Sequence, residues 1–228
     1  MRFQDAARDA RAVVYAGIQA DPLVTRVAGL LADATYEQRL LARAVMNGET
    51  TDRDGWRAMF PGLFGPEAAT PGRETSEAIL EASLGVAERG EQVRSQYRGA
   101  IVEAVTAVLL ARRAGPASIR RERRVLFDGV RAEIHPYDVT VETAAAAEAY
   151  DCKWGARGIG PDVLHQLDDA RGHAADEEER LEVALVVFDA RRSCETRLAR
   201  QTAPTRGIGL VTIETLDELA RAPAPRLP

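Results

Sequence analysis

The chain has 228 residues, 46% hydrophobic and 29% charged, a balance that suits a globular fold with one sizeable core or a core with an extension. It contains no run of about 18 apolar residues, and Met1 to Ala6 lack the apolar stretch of a secretory signal, so a membrane span and export are not expected. A net charge of −5 excludes a uniformly basic coat, and two cysteines, Cys152 and Cys194, make neither a disulfide framework nor a zinc site; a reducing cytoplasm is the expected setting.

Residues 1–90 read as a mostly helical region. Val13, Val14 and Ile18, then Val24, Val27, Leu30 and Leu31, then Leu40, Leu41 and Val45 recur at helical spacing. The Gly- and Pro-rich stretch 55–72 is expected to be a loop, and residues 76–90 another helix. This region carries no recognisable chemistry.

The pattern changes after Gly90. Residues 91–113 form one long helix with Ile101, Ala104, Val105, Val108 and Leu109 as its apolar stripe, stopped by Gly115-Pro116. Short β-type runs follow: 124–127, ending in an Asp128-Gly129 turn, then 134–142, then 148–154, the last two joined by the hairpin link 143–146. After a glycine-rich loop, 155–160, Pro161 opens a helix that buries Leu164, Leu167 and Ala170. Residues 183–188 and 208–213 read as buried strands, and Thr215 with Glu218 as a capping box for a last helix. The order predicts an α/β fold, a mixed sheet flanked by helices.

One position stands apart chemically. Lys153 is the only lysine, and every other strong base is arginine. A site that keeps lysine has use for a compact ammonium whose pKa can move. Two residues before it is Asp151, on the same face of an extended strand. The two are either a metal-plus-base pair or an ordinary ion pair. If the hairpin pairs residue 142 with 147, the same register puts Asp138 opposite Asp151, on the face of Lys153. Facing carboxylates destabilise a sheet unless a cation lies between them, and with the Cys152 backbone carbonyl they are hard oxygen ligands of the kind Mg²⁺ or Mn²⁺ takes. A metal-bound water beside Lys153 would be held for attack, its proton accepted directly or through solvent. Glu103 is the one charge in 100–111, either a solvent-side residue or a buried functional group.

Seven arginines between Arg112 and Arg131, among them Arg120, Arg121, Arg123 and Arg124, face only two acids, Glu122 and Asp128. They are a phosphate-binding patch or a solvated strand face. Arg157 in the glycine loop is a further phosphate contact. His135, His165 and His173 lack ligand spacing, although His135 could approach the site from the Asp138 strand. Cys152, Trp56 and Trp154 read as packing.

The ordered set Gly99-Ala100-Ile101-Val102-Glu103 on a helix, Asp138 on a strand and Tyr150-Asp151-Cys152-Lys153-Trp154 on the next resembles the PD-(D/E)XK nuclease superfamily, the fold of type II restriction enzymes, Holliday junction resolvases and Mrr-like restriction domains. Gln166-Leu167 is similar to a glutamine found in the following helix of such proteins. The resemblance spans about residues 91–222 and departs in one respect: Tyr137 separates Pro136 from Asp138. It implies a restriction-endonuclease-like sheet over 91–228 behind a helical region, 1–90. It implies a Mg²⁺-dependent deoxyribonuclease, with Mn²⁺ able to substitute, acting in restriction, phage defence or DNA repair. Asp138, Asp151 and the Cys152 carbonyl would bind the metal, Glu103 would support it or its waters, Lys153 would polarise the water, and Gln166 would line the site. Double-stranded DNA is the expected partner, with a homodimer and a protein partner for residues 1–90 as further expectations. Two alternatives stay open: an inactive nucleic-acid-binding or assembly module of the same fold, and a partner-binding protein in which Asp151 and Lys153 are a structural pair.

Overall fold

The strands expected in the second half of the chain form, and one that the pattern did not announce joins them from its beginning. A computed structural model describes residues 1–6, 10–48, 50–128, 130–131, 135–144, 147–224 and 227. The chain divides into a sheet unit, Met1–Asp9 with Thr106–Pro228, and a helical unit, Ala10–Val105. Among the described residues no helix is long and apolar enough to cross a membrane.

In the sheet unit, β1 (Arg2–Asp5), β2 (Ile119–Phe127), β3 (Val130–Arg131), β4 (Tyr137–Glu142), β5 (Ala147–Lys153), β6 (Leu181–Val187) and β7 (Gly209–Thr212) form one mixed sheet. Its order is β1-β2-β4-β5-β6-β7, with β3 on β2. The first half is antiparallel and the β5-β6-β7 half is parallel. Parallel neighbours need a crossover, and the helices α8 (Pro161–Asp176) and α9 (Arg191–Leu198) supply the two that are required. Pro161 opens α8, and Leu164, Leu167, Ala170 and Ala174 are buried against Ala147, Ala149, Val183, Leu185 and Val187. On the other side, the last turns of α7 (Glu91–Ala114) are tied to β5. Arg113 donates to both oxygens of Glu148 at 2.8 and 2.7 Å, and Tyr150 also donates to Glu148. Burial, and then the charge of Glu148, push the Tyr150 hydroxyl far up, so it stays a donor.

The helical unit holds α1 (Ala10–Gln19), α2 (Pro22–Ala32), α3 (Tyr36–Asn47), α4 (Arg53–Met59), α5 (Pro61–Phe64), α6 (Thr70–Ala87) and the first turns of α7. Asp21 caps α2 ahead of Pro22, and Thr35 with Gln38 forms a complete capping box on α3.

Several expectations are corrected. Most of the stretch 55–72 is helical, with a loop at 65–69, because Pro61 and Pro71 occupy first-turn positions that need no amide hydrogen, and Asp52 caps α4. The units divide inside α7 and not after residue 90. Tyr97 donates to Asp21, Arg89 lies 4.4 Å over the Tyr97 ring, and Arg94 donates to the Gly48 carbonyl at 2.7 Å, so the first turns of α7 belong with the helices before it. Residues 2–5 are strand rather than helix. Thr215 caps no α-helix: its hydroxyl accepts from Thr212 N at 3.1 Å, and Leu216–Ala220 is a 3-10 turn. Gly129, Ile134, Ala145 and Ala146, on which the expected turn, strand start and hairpin link fall, lie outside the described residues.

Candidate functional site

The β4-β5 register is the expected one: Val139 pairs with Tyr150, Thr140 with Ala149, Val141 with Glu148 and Glu142 with Ala147. The ladder stops before Asp138 and Asp151. Asp138 instead turns its carboxylate to the end of the ladder and accepts the Cys152 N–H at 2.6 Å. Lys153 O on the neighbouring position accepts from Phe188 N, on the β6 side. Successive strand residues point their amide groups to opposite edges, so the Cys152 carbonyl faces the β4 side together with its N–H.

Asp151 and Lys153 follow Ala147 and Ala149 at strand spacing and align with Leu185 and Val187, which places both on the α8 face. Asp151 is buried, and its Oδ1 lies 2.5 Å from Lys153 Nζ. That oxygen nevertheless receives no properly angled hydrogen bond. Burial raises the Asp151 carboxyl above the ordinary range, while Lys153 and His135 pull it back without cancelling the rise. Burial pushes the Lys153 ammonium down, but the charges of Asp151 and Asp138 outweigh it, and the net direction is up. Lys153 is therefore a cation at neutral pH. In that state it can donate hydrogen bonds but cannot accept a proton.

A second acid meets Asp138 from the opposite strand. Arg121 pairs with Val139 and Arg123 with Tyr137, and Glu122 and Asp138 face each other between those pairs. A carboxylate oxygen of each lies within 4.8 Å of the other. Glu122 has φ 53°, the left-handed region that a residue with a side chain enters at a cost of about 1–3 kcal/mol. The sequence reading passed over Glu122, counting it only as a countercharge in the arginine run. A lone acid among four arginines on a strand was the available signal.

Gln166 does not line the site. It is buried, and its amide clamps the His135 backbone, accepting from His135 N and donating to His135 O at 3.1 Å each. It positions the segment leading into Asp138. Glu103 belongs to the helical unit, buried there, with one oxygen accepting from Tyr15 and the other from Gln19 at 2.7 Å.

The arginines of β2 are not equivalent. Arg123 is held by Glu142, at 2.8 and 3.1 Å, and by Asp5, so it is an ion-pair residue of the sheet edge. Arg120 is exposed and donates to the carbonyls of Ala117 and Ile119. Arg121 and Arg124 are half-buried. The acids at 177 and 179 hold the Met1 ammonium at 2.8 and 3.2 Å.

Arg157 sits on a 3-10 turn, Ala156–Gly158, that follows β5. Asp189, just after β6, accepts Ala156 N at 3.0 Å and fixes the turn. A Cβ on Gly158 would come within 2.9 Å of Lys153 Cδ, so the turn packs directly on the lysine stem. Trp154 stacks on Phe188 at 5.0 Å and Cys152 Sγ lies 3.6 Å from Thr106, both as packing groups.

No family model, no curated protein and no solved structure matches this chain. Function must therefore be argued from the residues. Carboxylate oxygens of Glu122 and Asp138 lie within 4.8 Å of each other, and the Cys152 carbonyl is turned to the edge where Asp138 accepts the Cys152 amide, hard oxygen donors of the kind a divalent cation takes, while the buried Asp151 Oδ1 faces the Lys153 ammonium.

Proposed function

We propose that the sheet unit is a metal-dependent nuclease of the restriction-endonuclease-like kind, hydrolysing DNA phosphodiester bonds. The observation that carries this reading is the end of the β4-β5 ladder. There Asp138 accepts the Cys152 amide, and Asp151, the residue before Cys152, lies beside the ammonium of the only lysine, Lys153. A packed sheet that needed only stability would be better served by apolar groups, since a buried ion pair is weakly stabilising at best.

In this reading Mg²⁺ or Mn²⁺ is held by Asp138, Asp151 and the Cys152 carbonyl, with Glu122 as an additional carboxylate. The metal would lower the pKa of a bound water and neutralise charge on the phosphate. Lys153, kept protonated by Asp151 and Asp138, holds the attacking oxygen or the phosphate oxygens and stabilises the charge that develops there. Gln166 keeps the strand leading into Asp138 in place. Glu103 is engaged by Tyr15 and Gln19 in the helical unit. Hydrolysis adds the water oxygen to phosphorus and breaks one P–O ester bond, the leaving oxygen taking up a proton from solvent.

The test is cleavage of supercoiled and linear duplex DNA with Mg²⁺ or Mn²⁺ by the wild type, Asp151→Asn and Lys153→Arg. Cleavage by the wild type alone is expected, because a planar guanidinium does not replace a compact ammonium. Cleavage by Asp151→Asn at the wild-type rate sinks the assignment. The second reading, an inactive nucleic-acid-binding module, is favoured by the close Asp151–Lys153 contact, which partly satisfies the acid without metal. It predicts DNA binding with neither cleavage nor a metal-induced rise in melting temperature.

A further inference from the structure

Beside the Lys153 turn, the sheet unit carries a groove that the sequence patterns did not single out. It has a volume of about 690 Å³ and is lined by Arg157, Arg192, Ser193, Thr196, Arg197 and Arg200, with Ala156 at its base. Three of these arginines, Arg157, Arg192 and Arg200, are exposed, as are Ser193 and Thr196. Among the described residues none of the four guanidiniums is in an ion pair. By contrast, Arg57, Arg94, Arg98, Arg113, Arg123 and Arg171 bind carboxylates.

The nearby acids are spoken for. Asp189 accepts the amides of Ala156 and Ala190, Glu214 accepts the Arg191 amide, and Glu195 pairs with Arg191. Those contacts fix the turn and the start of α9 while leaving the groove's cations without carboxylate partners among the described residues. Arg192 and Thr196 lie one turn apart on α9, roughly 6 Å along its axis, and Arg200 follows in the turn after the helix. Ser193 and Arg197 form a neighbouring row. Arg197 also donates from Nε to the Ile159 carbonyl at 2.8 Å, which ties α9 to the loop after Lys153.

We propose that this groove is the track for the phosphodiester backbone of duplex DNA, delivering a strand to Lys153. A row of unpaired guanidiniums interleaved with hydroxyls is the chemistry that binds a phosphate backbone without reading bases. The Gly158 contact with Lys153 puts one end of the track against the lysine stem. The proposal rests on the nuclease reading for the identity of the strand, and it replaces the β2 arginines as the main binding surface.

The experiment measures binding of a fluorescent DNA duplex in EDTA, against salt, for the wild type and for Arg157→Ala/Arg192→Ala/Arg200→Ala. Arg197 is left intact because its bond to Ile159 is structural, and a matching melting temperature checks that the variant is folded. A loss of affinity of at least about tenfold at low salt, with the salt slope falling by about 3, is expected for three lost phosphate contacts. Unchanged affinity and slope in the triple variant would overturn the proposal, as would a wild type that does not bind duplex DNA. A second arm uses duplex RNA of the same sequence. Wild-type binding confined to RNA overturns the DNA assignment, while binding to both that falls together in the variant supports a backbone track. Cleavage with Mn²⁺ is scored separately. A wild type that binds through the groove but never cuts retains the groove and discards the catalytic reading, and cutting with undiminished binding in the triple variant does the reverse.

Discussion

Glu122 and Asp138 face each other across β2 and β4, their carboxylates within 4.8 Å, at a step where Glu122 takes a left-handed backbone conformation. Like charges directly opposite on a sheet oppose folding, by roughly 0.2–1 kcal/mol. A divalent cation at that step removes the repulsion. With millimolar Mn²⁺ the wild type is therefore expected to melt higher, and Glu122→Gln and Asp138→Asn should each lose most of that rise. An equal metal response in all three proteins would place the cation elsewhere. Asn is the right replacement at 138, because the Cys152 amide needs an acceptor. Asp138→Ala is expected to cost about 1–3 kcal/mol even without metal.

Lys153→Met tests the buried pair by its pH dependence in EDTA. Asp151 already has its carboxyl raised by burial, and removing the ammonium raises it further. A raised carboxyl contributes stability below its unfolded value and loses it as pH rises through the folded value. The deficit of Lys153→Met relative to wild type, about 3 kcal/mol at neutral pH, should therefore shrink as pH falls from 8 toward 5. Urea titrations across that range measure it. A deficit that is constant with pH would mean that Asp151 carries no unpaired charge in the variant.

Gly158→Ala should lower metal-dependent cleavage by an order of magnitude or more while leaving the melting temperature within about 2 °C. The added Cβ comes within 2.9 Å of Lys153 Cδ and 3.2 Å of its Cβ and Cγ, so the flexible stem is the group that moves. Normal cleavage by a folded Gly158→Ala protein would separate the turn from the chemistry.

Gln166→Ala removes two hydrogen bonds to the His135 backbone, a loss of about 2 kcal/mol. Amide exchange should quicken at His135 and Tyr137, and cleavage should fall with it through Asp138. Gln166→Glu keeps only the acceptor and should restore no more than part of the protection. Full protection in the Ala variant would leave Gln166 without its positioning role.

Arg123→Ala should destabilise the protein without changing its affinity for DNA, since Asp5 and Glu142 already occupy the guanidinium. Filter binding and a thermal melt on the same sample separate the two effects. A tenfold loss of affinity with unchanged stability would return the β2 arginines to the binding surface.

Much of the sheet half was legible because its signals are local. Alternation in β4 and β5 gave the hairpin register, Pro161 marked the start of α8, and the apolar runs near 185 and 210 marked the parallel strands. The same register carries Asp138 to the end of β4 and Asp151 and Lys153 to the end of β5, although the ladder stops short of pairing the two acids. What was hidden depends on partners far away in sequence. Nothing local in Arg2–Asp5 says that β2 will pair with it, and the left-handed turn at Glu122 is visible only once β4 lies beside it. Pro61 and Pro71 were misread because a proline signals a break and a first helical turn equally well. The groove on α9 escaped because a mean hydropathy or charge count averages Arg192, Arg197 and Arg200 with the acids around them, Asp189, Glu195 and Glu214, which the fold commits to other bonds.

The pairing of Phe3 with Val125 has a kinetic meaning during synthesis. The first strand leaves the ribosome roughly 120 residues before the strand that receives it, and the whole helical unit is made in the interval. Closing so long a loop raises the entropic cost only slowly with length, but the event cannot occur until β2 exists. Until then β1 is a strand without a partner, and when β2 is made Asp5 is already in place to neutralise Arg123 along the edge of the sheet.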